Sequence, residues 1–170
     1  MISLRLYIGL FLLVACCGEL LRGCTSDEFR QRGPLHLRVY IGTSRMDLRS
    51  AFVQALNFWS TVLEMDWRNT DQKNCDMELV DQPESAFASW VAALAYRSTG
   101  QIAFNPAFKH SAAQNYSISV HEIGHLLGLR DRVPESAINN RSFMRGGNNV
   151  GNETLDTQDL SALAKLHRLR

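Results

Sequence analysis

The sequence predicts an α+β domain, with a small twisted mixed sheet, a long N-terminal helix, a second helix bearing metal-ligand residues, and a C-terminal helix. Three observations predict it. Leu35–Ile41 alternates apolar and polar with a period of two, as in a strand packed on one face. Leu48, Phe52, Leu56, Trp59 and Leu63 then recur every three or four residues, the stripe of an amphipathic helix. Residues 120–131 read V-H-E-I-G-H-L-L-G-L-R-D, a helix with its own terminator in Gly128.

The chain has 170 residues, 45% of them hydrophobic, and a formal net charge of +1. That is enough apolar material for one core, and no single-sign run of charge points to nucleic acid or another polyanion. Residues 1–23 read as a signal peptide. One positive charge is followed by an apolar run over residues 6–15, too short to stay in a bilayer as a spanning helix. Leu13-Val14-Ala15-Cys16 has the pattern of a lipoprotein cleavage site, with Cys16 as the anchor. Cleavage near residues 17–23 would instead release a soluble product, and both readings stand. Residues 24–34 form a polar linker and residues 35–170 one domain. If export removes or modifies Cys16 and Cys17, Cys24 and Cys75 are left as a candidate disulfide in an oxidising compartment.

Past Gly42-Thr43-Ser44 the long helix begins, with Ser44 or Asp47 as its cap, and runs to about Asp66 and Trp67. Residues 68–74 read as a polar loop. Cys75, Met77 and Leu79 alternate with Asp76 and Glu78 in a second strand, whose acidic outer face suits either solvent or a structural Ca²⁺. Residues 91–97 and 101–105 flank Ser98-Thr99-Gly100 as a hairpin. Ser117 is the cap candidate for the next helix, which turns Ile118, Val120, Ile123, Leu126 and Leu127 to the core. Gly146, Gly147, Asn148, Asn149 and Gly151 make a turn region. Asp156 or Thr157 opens a last helix with Leu160, Leu163, Ala164 and His167 at helical spacing. His36 and His167 read as surface residues, and Asn115, Asn140 and Asn152 lie in N-x-S/T sequons.

The chemistry concentrates at residues 121–131. At 100° per residue His121 and His125 lie about 40° apart on one helix face, one turn apart, so both imidazoles can grip one ion. Glu122 is beside them, placed as a general base rather than a third ligand. Gly128 lets the chain turn back, which brings the Asp131 carboxylate within reach of the same ion. Two His and a carboxylate with one position left open is the donor set of a catalytic zinc site rather than a structural one.

His121, Glu122, His125, Gly128 and Asp131 resemble the metzincin zinc motif HExxHxxGxxH, with Asp131 where most members have a third His. The snapalysin family, small bacterial metalloendopeptidases with matrixin-like architecture, has Asp at that place. It also has a Met turn similar to Ser142-Phe143-Met144-Arg145-Gly146-Gly147. The resemblance is specific over residues 100–163. It implies a metzincin catalytic fold, one Zn²⁺ on His121, His125 and Asp131, Glu122 as the base that deprotonates the attacking water, Met144 beneath the metal, and peptide or protein substrates. It further implies that Gln101, Ile102, Ala103 and Phe104 form the sheet edge beside the cleft, to which a substrate adds as a strand. Residues 134–141 would wall the pocket beside the scissile bond.

No Tyr follows Met144, so the oxyanion donor some metzincins carry there is missing, with the ion or Arg145 left for that role. A latency thiol at Cys24, as in matrixin propeptides, is a rival to the disulfide, although Arg22-Gly23-Cys24-Thr25 lacks their longer motif. The expected protein is a secreted or lipid-anchored monomeric zinc endopeptidase. Its alternative is a catalytically weak zinc-containing peptide-binding module of the same fold.

Overall fold

The computed structural model describes Phe29 and residues 33–131, 142–144 and 154–170. The signal segment, Cys16, Cys17, Cys24, Arg145, the sequons at Asn140 and Asn152, residues 134–141 and the turn at residues 146–151 lie outside the described residues. Strand β1 (Leu35–Ile41) forms where the alternation predicts it, with Leu35, Leu37 and Val39 at 1% exposure or less. Helix α1 (Met46–Val62) buries Leu48, Ala51, Phe52, Ala55, Leu56 and Trp59, the predicted stripe. Its first residue follows Arg45, which makes no side-chain cap, so neither Ser44 nor Asp47 fills that role. Ser44 instead hydrogen-bonds Asp81, and Thr43 Oγ1 accepts from the Arg45 N–H.

The helix stops at Val62 rather than near Trp67, and Met65–Asn69 is strand β2, a strand the sequence reading missed. It pairs parallel to β1 and buries only Met65, so four of its five residues carry no apolar alternation to read. Strand β3 (Met77–Asp81) pairs parallel with β1 on its other side. It also runs parallel to β5 (Gln101–Phe104), which pairs antiparallel with β4 (Ala93–Tyr96). The order β2-β1-β3-β5-β4 is mainly parallel with one antiparallel edge. The predicted 98–100 turn closes the β4–β5 hairpin, with the Gly100 and Thr99 N–H groups donating to the Tyr96 carbonyl.

Two expectations about charge are overturned because polar side chains from other parts of the chain cover Asp76 and Glu78. Asp76 and Glu78 are 2% and 0% exposed, so the expected solvated face of the second strand is interior. Asp76 takes both the backbone N–H (2.8 Å) and the guanidinium of Arg38 (Nη2 to Oδ1, 2.6 Å), while Glu78 is held by the amides of Gln72 and Gln101. Each carboxylate is satisfied by nitrogen donors, and neither gathers the several oxygens that calcium requires. Arg38→Ala should strip the side-chain partner from the buried Asp76 and lower stability by about 2 kcal/mol, read as a shift in the urea midpoint.

Helix α2 (Ala112–Leu126) starts at Ser111, whose hydroxyl and Gln114 form a reciprocal capping box; Ser117 lies inside the helix, buried, instead of capping it. Asn115 is 0% exposed and donates to Asp47, which leaves its sequon without access to a modifying enzyme in the folded chain. Helix α3 (Thr157–Leu166) begins, as predicted, at Asp156, capped reciprocally with Asp159. His167 after it is 5% exposed, with Nε2 bonded to the Leu127 carbonyl at 2.8 Å, so it is an interior residue joining α3 to the end of α2. His36 is at the surface, paired with Asp66. Cys75 is disulfide-bonded, to a partner outside the described residues, where the other three cysteines fall. Among the described residues no helix is long and apolar enough to cross a membrane.

Candidate metal centre

Helix α2 is fixed by what surrounds it. Val120, Ile123 and Leu126 bury one face, and the indole N–H of the fully buried Trp59 donates to the Val120 carbonyl at 3.2 Å. The opposite face carries His121 and His125, with ring centroids 4.5 Å apart. The helix ends as the sequence predicts. Gly128 has φ +102°, its N–H donates to the His125 carbonyl, and the Leu129 N–H reaches back to the Gly124 carbonyl at 2.9 Å. These two bonds make a Schellman stop, which only a residue tolerant of the left-handed conformation can form without strain.

The turn returns Asp131 to the histidines. Its Oδ1 lies 3.2 Å from His121 Nε2 and 3.5 Å from His125 Nε2, and the three donor atoms are mutually within 4.8 Å. No other group of three potential ligands occurs among the described residues. For a four-coordinate ion with bonds of about 2.0–2.1 Å, neighbouring donors stand about 3.3 Å apart, so this set fits a zinc-sized ion. The ring orientation also fits. His121 Nδ1 is 2.7 Å from the Phe143 carbonyl and His125 Nδ1 is 3.2 Å from the Leu129 carbonyl. Each carbonyl fixes the proton on Nδ1 and leaves Nε2 bare toward the ligand position.

Charges follow the same logic. Burial opposes the imidazolium of His121, but the Asp131 hydrogen bond and the Glu122 charge outweigh it and raise its pKa. Burial and the neighbouring His121 charge push His125 down. The hydrogen bond from His121 holds Asp131 below the ordinary carboxylate range. The carboxylate thus faces two imidazoles as an anion, and a cation would take the place of the proton that His121 Nε2 holds toward it when the ring is an imidazolium.

Glu122 is 7% exposed, and burial raises its pKa to about 7. The Ala95 backbone N–H donates to it. A carboxyl tuned near neutrality beside a ligand set is suited to taking a proton and returning it.

The segment at residues 142–144 lies beneath α2. Met144 is 0% exposed, and a Cβ added to Gly124 would come 2.6 Å from its Sδ and 3.2 Å from Trp59 Cζ2. Gly124 therefore lets the Met pack directly against the ligand helix. Gly124→Ala gains helix propensity but overpacks this contact, and we expect a net loss of about 1–3 kcal/mol, measurable as a lower Tm. Asp159, already the capping partner of α3, accepts from Ser142 Oγ at 2.5 Å, and Ser142 Oγ in turn accepts from the Met144 N–H at 2.9 Å. This chain anchors the carbonyl that orients His121.

Several of these supporting residues escaped the sequence reading. Gly124, a glycine inside a helical pattern, was the one available signal. Phe143, Leu129, Ala95 and Asp159 act through backbone groups or across the fold and carry none.

One expectation about the cleft is corrected. Gln101, Ile102, Ala103 and Phe104 are not an edge, because β5 is paired on both sides, by β3 and β4. Among the described residues, the free edge next to Glu122 belongs to β4. Asn105 donates to the Ala92 carbonyl, so in the register Ala93↔Phe104 and Ala95↔Ile102 the backbone groups of Ala93 and Ala95 point away from the hairpin.

A mixed sheet with an antiparallel edge beside a His-Glu-His-Asp helix defines a metallopeptidase. The matrixin profile matches residues 37–168, and the chain belongs to the matrixin family. That membership makes it a metalloprotease hydrolase acting on peptide or protein substrates. Among solved structures it is similar in fold to that titled "Structure of myroilysin", with TM-score 0.58 and 13% identity over 85% of this chain and 98% of the other. No curated protein matches the sequence significantly.

Proposed function

We propose that the chain is a zinc-dependent endopeptidase of the snapalysin type, working outside the cytoplasm as a monomer, either released or held by a lipid on Cys16. The observation that carries this reading is the convergence of His121, His125 and Asp131 on one point beside the buried Glu122. His121, His125 and Asp131 would hold the zinc, which supplies acidification of a water and polarisation of the peptide carbonyl. Glu122 takes the proton of the attacking water on its carboxylate and passes it to the leaving amine. The Ala95 N–H holds that carboxylate in place. The outward backbone groups of Ala93 and the outward carbonyl of Ala95 bind the substrate main chain as an added strand, which presents a peptide bond to Glu122.

Zinc analysis paired with a denatured-casein digest, with and without chelator, tests this directly. One zinc per chain and chelator-sensitive internal cleavage are expected. Stoichiometric zinc with no cleavage of casein or of a peptide library would instead make the chain a peptide-binding module.

A further inference from the structure

Arg97 follows the last residue of β4 and is exposed, and no carboxylate among the described residues forms an ion pair with it. Its Nη2 stands 3.9 Å from the point a Cβ would occupy on Gly128, the residue that turns the chain from His125 toward Asp131. The guanidinium therefore lies over the C-terminal end of the ligand helix. An exposed cation without an acidic partner among the described residues, set at the rim of the cleft, offers a bidentate site for a carboxylate.

The strand polarity says which part of a substrate meets it. A peptide adding to β4 gains most from an antiparallel ladder, whose hydrogen bonds are straighter than those of a parallel one. The scissile bond falls near Ala95, whose N–H contacts Glu122. Arg97 is two residues further along the chain, in the turn just past the last residue of β4. In an antiparallel complex, residues further along β4 face the part of the substrate that precedes the cut. Ala93, toward the other end, faces the part that follows it.

On the peptidase reading above, we propose that Arg97 is a specificity-determining residue that selects an acidic side chain one to three residues before the scissile bond. The pair is half open to water, so the preference for Asp or Glu over Asn or Gln is roughly two- to fivefold and fades as salt is raised.

Two readouts on the zinc-loaded chain separate this inference from the peptidase assignment. In the first, a randomised peptide library is digested by the parent, Arg97→Ala and Arg97→Glu chains, and the cut sites are read by mass spectrometry. In the second, the same library is equilibrated with zinc-loaded Glu122→Gln, with and without Arg97→Glu, and the retained peptides are compared. Zinc content and circular dichroism verify that each variant is folded. We expect acid enrichment before the cut in the parent, its loss in Arg97→Ala, and its reversal toward Lys and Arg in Arg97→Glu. The retained pool should shift in the same way. Acid enrichment that persists in both Arg97 variants, enrichment located after the cut, or no acid enrichment in either pool overturns the proposal. Acid-selective retention that depends on Arg97 without any cleavage leaves the role of Arg97 standing and removes the peptidase reading.

Discussion

Glu122→Gln should lower peptide hydrolysis by about two to four orders of magnitude while the zinc content stays at that of the parent chain. Gln has nearly the shape of Glu, so it can keep the place at 7% exposure and the contact with the Ala95 backbone. It cannot accept a proton. The loss should therefore fall on kcat rather than KM, because the ligand set and the free edge of β4 are untouched. Initial rates on one fluorogenic peptide, alongside metal analysis of the same preparations, decide the matter. A variant that keeps zinc and retains more than about a tenth of the parental rate would remove Glu122 from the role of base.

Asp131→Ala should have the second largest effect. Losing a supporting group outside the ligand set already costs metal affinity about 10- to 100-fold, and Asp131 stands within the set, so the loss should be larger. Asp131 is 3.2 and 3.5 Å from the two imidazole nitrogens, which then have no anionic partner to complete the site. Competition with a chromophoric chelator measures the affinity. Asp131→His replaces an oxygen donor with a nitrogen donor and should recover most of the binding. If Asp131→Ala binds zinc as tightly as the parent, the third ligand lies elsewhere.

The residues that carry the chemistry were legible because they are local. Three ligands, a base and a terminating glycine occupy eleven consecutive positions, where helical spacing relates His121, Glu122 and His125 and a single glycine turn returns Asp131. β1 and the stripe of α1 were legible for a similar reason, since each buries one face and so keeps a clean period. What failed depended on the rest of the fold. β2 shows no alternation because it is an edge with one buried residue. Asp76 and Glu78 looked solvated because alternation predicts an exposed face, and the side chains that cover them, Arg38, Gln72 and Gln101, come from other parts of the chain. Ser117 looked like a cap, but Ser111 holds the capping box, and Asn115 and Ser117 are buried within the helix.

The choice between β4 and β5 as the cleft edge was hidden in another way. Both belong to one hairpin, and which of them meets β3 depends on how the chain crosses back, which neither strand's own sequence records. His167 shows the same limit. Helical spacing placed it after Leu163, but only the approach of α3 to the end of α2 gives its ring the Leu127 carbonyl.

X-ray absorption at the zinc edge of the purified chain tests the shared site most directly. The three-ligand arrangement predicts one zinc per chain in a four-coordinate shell of nitrogen and oxygen at about 2.0 Å, with the outer-shell scattering of two imidazoles. A shell containing sulfur at about 2.3 Å, or no stoichiometric zinc at all, would contradict it.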